Sequence, residues 1–264
     1  FSVSGFTVEN LQTKMLVVCG VVLVSGLVYY FWLRKITVVK KTAIILKELF
    51  FVGYITSTLY LLLGMIFNPP ITLTQVGSII QGNGLARDNI SYDDMGPNIK
   101  LAVIASEDQQ FPDHDGFDLK AIKVAMKYNK RHPSKQRGGS TISQQTAKNV
   151  FLYQGGGFLR KGIEVFFTFS IEKAWTKRTI LEHYLNVAET GRGVFGVQAE
   201  DKKYFNKDAK DLTRLEAAQI AACLPSPKRL TVKPLSSYVA GRANNILRQM
   251  NNLAGDADVQ EIIR

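Results

Sequence analysis

Glu107-Asp108-Gln109-Gln110-Phe111-Pro112-Asp113-His114-Asp115-Gly116 is the stretch on which the reading turns, and Gly138-Gly139-Ser140-Thr141-Ile142-Ser143-Gln144-Gln145-Thr146-Ala147-Lys148-Asn149 follows it. Carboxylates, a histidine, hydroxyls, amides and a lysine crowd together here. Ile99, Ala102, Val103 and Ser106 fall at helical spacing and lead into Glu107, which places that carboxylate at a helix end. A helix from Asp118 to Lys130 follows. Gly138–Thr141 then offers an N-cap for a helix from Gln144 to Phe151.

Downstream the pattern stays helical. Gly155–Gly157 is a break, Leu159–Lys177 reads as one long helix and Thr179–Ala188 as another. The turn at Gly191-Arg192-Gly193 precedes a helix to Tyr204. Thr213–Leu224 opens with a cap, and Glu216 stands at the capping-box position. Pro225, Pro227 and Pro234 mark a loop before a last helix, Ser236–Leu253. No strand alternation or internal repeat is visible, so residues 98–264 read as one mainly α domain. Residues 71–97, rich in Gly, Asn and Asp, read as a linker or jaw with little regular structure.

Upstream lie two uncharged apolar runs of 19 residues each, Met15–Leu33 and Leu49–Phe67. Each spans about 28 Å as a helix, close to the thickness of a bilayer's hydrocarbon core. The first reads as a transmembrane segment or a signal sequence, the second as a transmembrane helix over 49–70 ended by Asn68-Pro69-Pro70. One or two membrane helices therefore precede the α domain. Residues 34–48 read as a basic linker with Arg34, Lys35, Lys40, Lys41 and Lys47 against Glu48. The positive-inside rule puts that linker in the cytoplasm and everything after Pro70 outside it.

The whole chain carries 33 Lys and Arg against 22 Asp and Glu, a net charge of +11. That balance favours anionic partners. The charge is spread along the chain rather than gathered in one run, which argues against nucleic acid. Cys19 and Cys223 make a structural disulfide an unfavourable reading, and His114, His132 and His183 show no ligand spacing, so no metal site is expected.

Three groups carry chemistry. Glu107, between an apolar stretch and Phe111, is a candidate base, and His114 could orient a neighbour. Thr141, Gln144, Gln145 and Lys148 recur at three- and four-residue spacing, so with Ser140 they present hydroxyl, amide and ammonium groups at a helix N-terminus suited to phosphate. Arg160, Lys161 and Glu164 can meet on one helical face, either as an ordinary ion pair or as a carboxylate with two cations that hold pyrophosphate. Glu172 extends that face toward Lys177. Ser170-Ile171-Glu172-Lys173 matches the acylating S-x-x-K pattern, but the partner motifs of that chemistry do not follow and the match is read as accidental.

Five blocks in order resemble the peptidoglycan glycosyltransferases of the lysozyme-like fold, glycosyltransferase family 51. They are Glu107-Asp108-x-x-Phe111-x-x-His114-x-Gly116; Gly139-x-Thr141-x-x-Gln144-Gln145-x-x-Lys148-Asn149; Arg160-Lys161-x-x-Glu164; Ile180-Leu181-Glu182-x-Tyr184-Leu185-Asn186; and Arg242-x-x-x-Ile246-Leu247-x-x-Met250. Asn68–Thr72 and Leu224–Arg229 are similar to the monofunctional branch. The chain departs from the family at Asn206, where glycine is usual, at Thr190, where an aromatic is usual, and in its first apolar run.

The resemblance implies an inverting polymerisation of lipid II into glycan strands at the bacterial inner membrane, with the catalytic domain outside the cytoplasm. It makes Glu107 the base and Glu164 the second family carboxylate. It gives the pyrophosphate to Lys148, Arg160 and Lys161, and sugars and phosphates to Ser140, Thr141, Gln144, Gln145 and Asn149. Asp108, Phe111, His114, Tyr184 and Asn186 join the substrate-binding set by position in the motifs. No cofactor is required; the family chemistry has room for a divalent cation, Mg or Mn, without a dedicated oxygen cage. Expected partners are lipid II, the growing strand, membrane lipids and cell-wall synthesis or division proteins. A lytic glycosidase and a non-enzymatic membrane adaptor are the competing readings.

Overall fold

The computed structural model describes residues 9–132, 138–155 and 157–264. Residues 1–8 of the expected N-terminal segment and Gly156 of the expected glycine break lie outside them. The chain divides into two compact units, residues 1–60 with 126–137, and residues 61–125 with 138–264.

In the first unit, helix α1 (Glu9–Phe31) is followed by a 3-10 turn, Leu33–Lys35, and by α2 (Thr37–Leu63). Leu16–Lys35 and Thr37–Leu63 are long and apolar enough to cross a membrane, and almost none of either is buried by protein. The basic stretch expected as a linker is therefore helical: Lys40, Lys41 and Lys47 lie within α2.

The second unit carries the remaining elements, except that α5 (Leu119–Arg131) runs on into the first unit from Met126. Residues 71–97 hold more structure than expected. Thr72 and Gln75 form a reciprocal capping box that starts α3 (Leu73–Ile80). Ala86–Arg87 forms β1, which pairs in parallel with β3 (Val194–Phe195); β3 pairs antiparallel with β2 (Glu189–Gly191). These strands are two or three residues long, too short for alternation to register in the sequence.

Helix α4 (Pro97–Glu107) starts with proline in the position where its missing N–H costs nothing. Ile99 through Ala105 are all buried, so it is the central helix of the unit. It packs against α10 (Arg214–Cys223) and α11 (Ser237–Leu253). Helix α6 (Ile142–Phe151) packs against α7 (Phe158–Ala174) and α8 (Lys177–Val187). The expected helix 159–177 stops at Ala174, because Trp175 turns extended and the Thr176 hydroxyl caps α8. Helices α5 (Leu119–Arg131) and α9 (Val197–Tyr204) stand where the spacing puts them, and α12 (Ala257–Ile263) is one the sequence reading missed.

The end of α2 belongs to this unit. The second apolar run was expected to stay helical to Phe67, but the helix ends at Leu63, where two side chains grip the following backbone. Trp175 Nε1 donates to the Leu61 carbonyl at 2.8 Å, and His183 Nε2 lies 2.6 Å from the Gly64 carbonyl. Burial lowers the basicity of His183, so the neutral ring donates. A side chain at Gly64 would come within 2.4 Å of the Trp175 ring.

Candidate active site

Glu107 is the last residue of α4, and Asp108 ends the helix by leaving helical dihedrals. The Asp108 carboxylate is fully used by the protein. Its Oδ2 accepts from the Ile142 N–H at 2.9 Å, and both oxygens lie 3.0–3.1 Å from His114 Nε2. The Gly116 N–H points at His114 Nδ1, 3.0 Å away. That contact makes Nδ1 the acceptor and Nε2 the donor, which fixes the tautomer. The first motif is thus tied to the start of α6, where a carboxylate also meets the positive end of the helix dipole.

Thr141 tightens the same junction. Its hydroxyl accepts from the Gln144 N–H at 3.1 Å and donates to the Gly116 carbonyl at 2.7 Å, while Gln144 Oε1 accepts from the Thr141 N–H. Gly116 has φ of +87°, and a side chain there would come within 2.9 Å of Thr168 and Glu172. Only glycine fits both conditions. Lys177 Nζ donates to the His114 carbonyl at 2.5 Å and to Glu172 Oε1 at 2.9 Å, and stands over the Phe111 ring. Ser143 donates to the same Glu172 oxygen.

On this frame α6 presents Gln145 and Lys148. Gln145 Nε2 donates to Glu107 Oε2 at 2.9 Å, and the Tyr184 hydroxyl points at Gln145 Oε1 from 3.4 Å. Burial, then the charges of Glu107 and Asp108, push the Tyr184 phenol well above its ordinary range, so it remains a donor. The other Glu107 oxygen, Oε1, lies 3.2 Å from Ser106 Oγ and 3.7 Å from an Arg242 nitrogen. The base candidate is therefore held from three helices.

A cationic cluster adjoins it. Glu164 is buried; its Oε2 accepts from Arg160 at 2.8 Å and its Oε1 from Lys161. Lys148 is electrostatically coupled to this pair and to Glu107. Burial lowers its basicity first; Arg160 and Lys161 push the same way, against Glu164 and Glu107. An arriving anion would reverse that balance.

Gln145, Lys148, Asn149, Tyr184, Glu189, Ser226, Lys228 and Arg229 line a cavity of about 460 Å³. Asn149 Oδ1 and Arg160 Nε are buried without a partner, the mark of groups awaiting a ligand or water. Among the described residues no cluster of His, Cys, Asp or Glu side chains could hold a metal ion.

The expected residues separate into two sets. Glu107, Gln145, Lys148, Asn149, Arg160, Lys161, Glu164 and Tyr184 converge around the cavity and the cation cluster. Asp108, Phe111, His114, Thr141 and Gln144 are buried or turned into the protein's own hydrogen bonds beneath them. Asn186 holds the loop at Ile90, with its amide paired to both the N–H and the carbonyl of that residue at 3.0–3.1 Å. Ser140 is exposed at the head of α6.

Three residues were missed as site residues. Lys228 and Arg229 come from the Pro-rich loop after α10, where two adjacent cations were the available signal. Arg242 sits on the face of α11 that carries Val239, Ala243, Ile246 and Met250, all buried. An arginine in an apolar face was the signal there.

The transglycosylase family model matches residues 74–251. A biosynthetic peptidoglycan transglycosylase of Escherichia coli O17:K52:H18 is 48% identical over 198 residues, which cover 74% of this chain and 82% of that protein. Proteins of the same name from Yersinia pseudotuberculosis serotype O:3 and Yersinia pestis (strain Pestoides F) are each 52% identical over 174 residues, 66% of this chain and 72% of their own length.

Proposed function

The chain belongs to the transglycosylase family, and from that membership we propose a membrane-anchored peptidoglycan glycosyltransferase that polymerises lipid II into glycan strands with Glu107 as general base. One observation carries the base assignment: both Glu107 oxygens are held by donors, beside a cluster of three cations and a cavity.

A single displacement needs a base at the nucleophile and positive charge at the leaving group. The acceptor sugar's 4-hydroxyl gives its proton to Glu107 as its oxygen attacks the anomeric carbon of the lipid-linked donor. The bond from that carbon to the pyrophosphate breaks with inversion, and polyprenyl pyrophosphate leaves. Lys148, Arg160 and Lys161 receive its charge. Glu164 acts through the two side chains it holds, Arg160 and Lys161. A divalent cation, Mg or Mn, would enter with the pyrophosphate, because both Glu164 oxygens already bind cations of this chain.

Gln145 and Asn149 contact sugar or phosphate from the cavity wall, and the exposed Ser140 hydroxyl is offered ahead of α6. Tyr184 orients the Gln145 amide. Asp108, His114, Phe111, Thr141 and Gln144 set the position of Glu107 relative to α6, and Asn186 secures the neighbouring loop. The basic residues 34–47 stay in the cytoplasm and the domain after Pro70 works on the outer side of the inner membrane, where the lipid tail of the donor is confined to the same bilayer.

The cation cluster also disfavours a lytic glycosidase, whose sugar leaving group needs no such charge. Incubating the full chain with lipid II, and separately with preformed glycan, distinguishes the two. Elongation of lipid II is expected; shortening of the polymer without elongation would replace the synthetic reading by the lytic one.

A further inference from the structure

Two side chains outside the expected site converge on one oxygen of Glu107. Arg242 reaches from α11 toward the end of α4, with a guanidinium nitrogen 3.2 Å from Ser106 Oγ and 3.7 Å from Glu107 Oε1. Ser106 Oγ lies 3.2 Å from that same Oε1 and 3.3 Å from the Ala221 carbonyl. A hydroxyl has one proton to give, so Ser106 serves either Glu107 or Ala221 at any moment. Arginine has donors only. Ser106 must therefore accept from Arg242, and the guanidinium charge beside Oε1 keeps the carboxylate where the serine proton can reach it.

We propose that Arg242 is a positioning residue for the transfer reaction. With Ser106 it fixes Glu107 Oε1, while Gln145 fixes Oε2, so the carboxylate meets the acceptor hydroxyl in one orientation. The inference rests on Glu107 as the base. Stability is not the main return of this contact. The Arg242 side chain is 30% exposed and the separation is longer than a hydrogen bond, so as an ion pair it contributes little. Misplacing a catalytic group by an ångström, in contrast, costs up to about a hundredfold in rate.

Lipid II polymerisation by the full chain tests this. Arg242→Ala is expected to lower kcat roughly ten- to a hundredfold. KM is expected to stay within about twofold, and thermal melting close to that of the parent, since the 3.7 Å separation makes a weak ion pair. Arg242→Lys recovers part of the loss. Ser106→Ala lowers kcat less, and the double variant falls little below Arg242→Ala, because the two act as a unit. An unchanged kcat in Arg242→Ala, or a rise in KM alone, overturns the proposal. Should Arg242→Ala fail to fold, Ser106→Ala decides: a loss confined to kcat supports the positioning role and a parental kcat rejects it. Polymerisation that survives Glu107→Gln would instead remove the base reading on which the proposal stands.

Discussion

Single residues divide by what touches them. Asp108 and Glu107 are neighbours in sequence, yet Asp108 is tied to His114 and Ile142 while Glu107 is held by Gln145, which lines the cavity. Nothing in their local sequence tells them apart, since the distinction lies in which contacts form: His114 of the same motif turns back onto Asp108, and the Ile142 N–H reaches it from 34 residues away. Asp108→Asn replaces an acceptor of three contacts by an amide whose NH₂ must face a donor. It is expected to cost about 1–3 kcal/mol, the price of a buried unsatisfied group, or roughly 2–4 °C of Tm per kcal/mol. A thermal melt of the variant checks this; loss of activity with an unchanged Tm would mean that Asp108 works on substrate directly. Arg242 was quoted in the fifth block but given no role, because its partner Ser106 lies far away in sequence.

Elements were legible where local rules set them. The capping box at Thr213 and Glu216 and the helix ending at Glu107 stand as spacing predicts, and the N-cap expected within Gly138–Thr141 is Thr141, with the helix starting at Ile142 rather than Gln144. Errors arose where tertiary contacts decide. The second apolar run looks helical to Phe67 by composition, but Trp175 and His183 capture the backbone at Leu61 and Gly64. The glycine-rich stretch 71–97 looked unstructured although Thr72-x-x-Gln75 carried a cap signal. The fourth motif shows why a motif is not a list of ligands. Glu182 accepts from Asn68 at 2.9 Å, His183 holds Gly64, Asn186 holds Ile90, and Tyr184 alone of these turns toward Gln145. Its polar side chains are turned to the protein's own contacts.

At the scale of the whole molecule, a buried acidic pair couples stability to pH. Glu200 and Asp201 on α9 are almost fully buried, and three of their four carboxylate oxygens have no partner. Burial pushes the Glu200 carboxyl up to about 7, opposed by a Thr190 hydrogen bond and then by Lys203, and burial with the charges of Glu200 and Glu216 pushes Asp201 up to about 8. Both folded-state values exceed the unfolded ones. The stability they contribute is therefore complete below about pH 4 and is lost as pH rises to about 8. Melting of the detergent-solubilised chain should accordingly fall from pH 5 to pH 8. The double variant Glu200→Gln, Asp201→Asn should flatten that fall; an unchanged slope would show that the pair is not buried in this way. None of this was readable from the acids' sequence context, where two charges near a helix start look solvated.

Glu107 is the residue on which the proposed chemistry turns. Polymerisation of lipid II by Glu107→Gln, measured beside its binding of polyprenyl pyrophosphate, tests it most directly. Glutamine keeps the shape of the side chain and removes the proton acceptor. Loss of polymerisation with binding retained is the predicted result; glycan strands formed by the variant at the parental rate would contradict it.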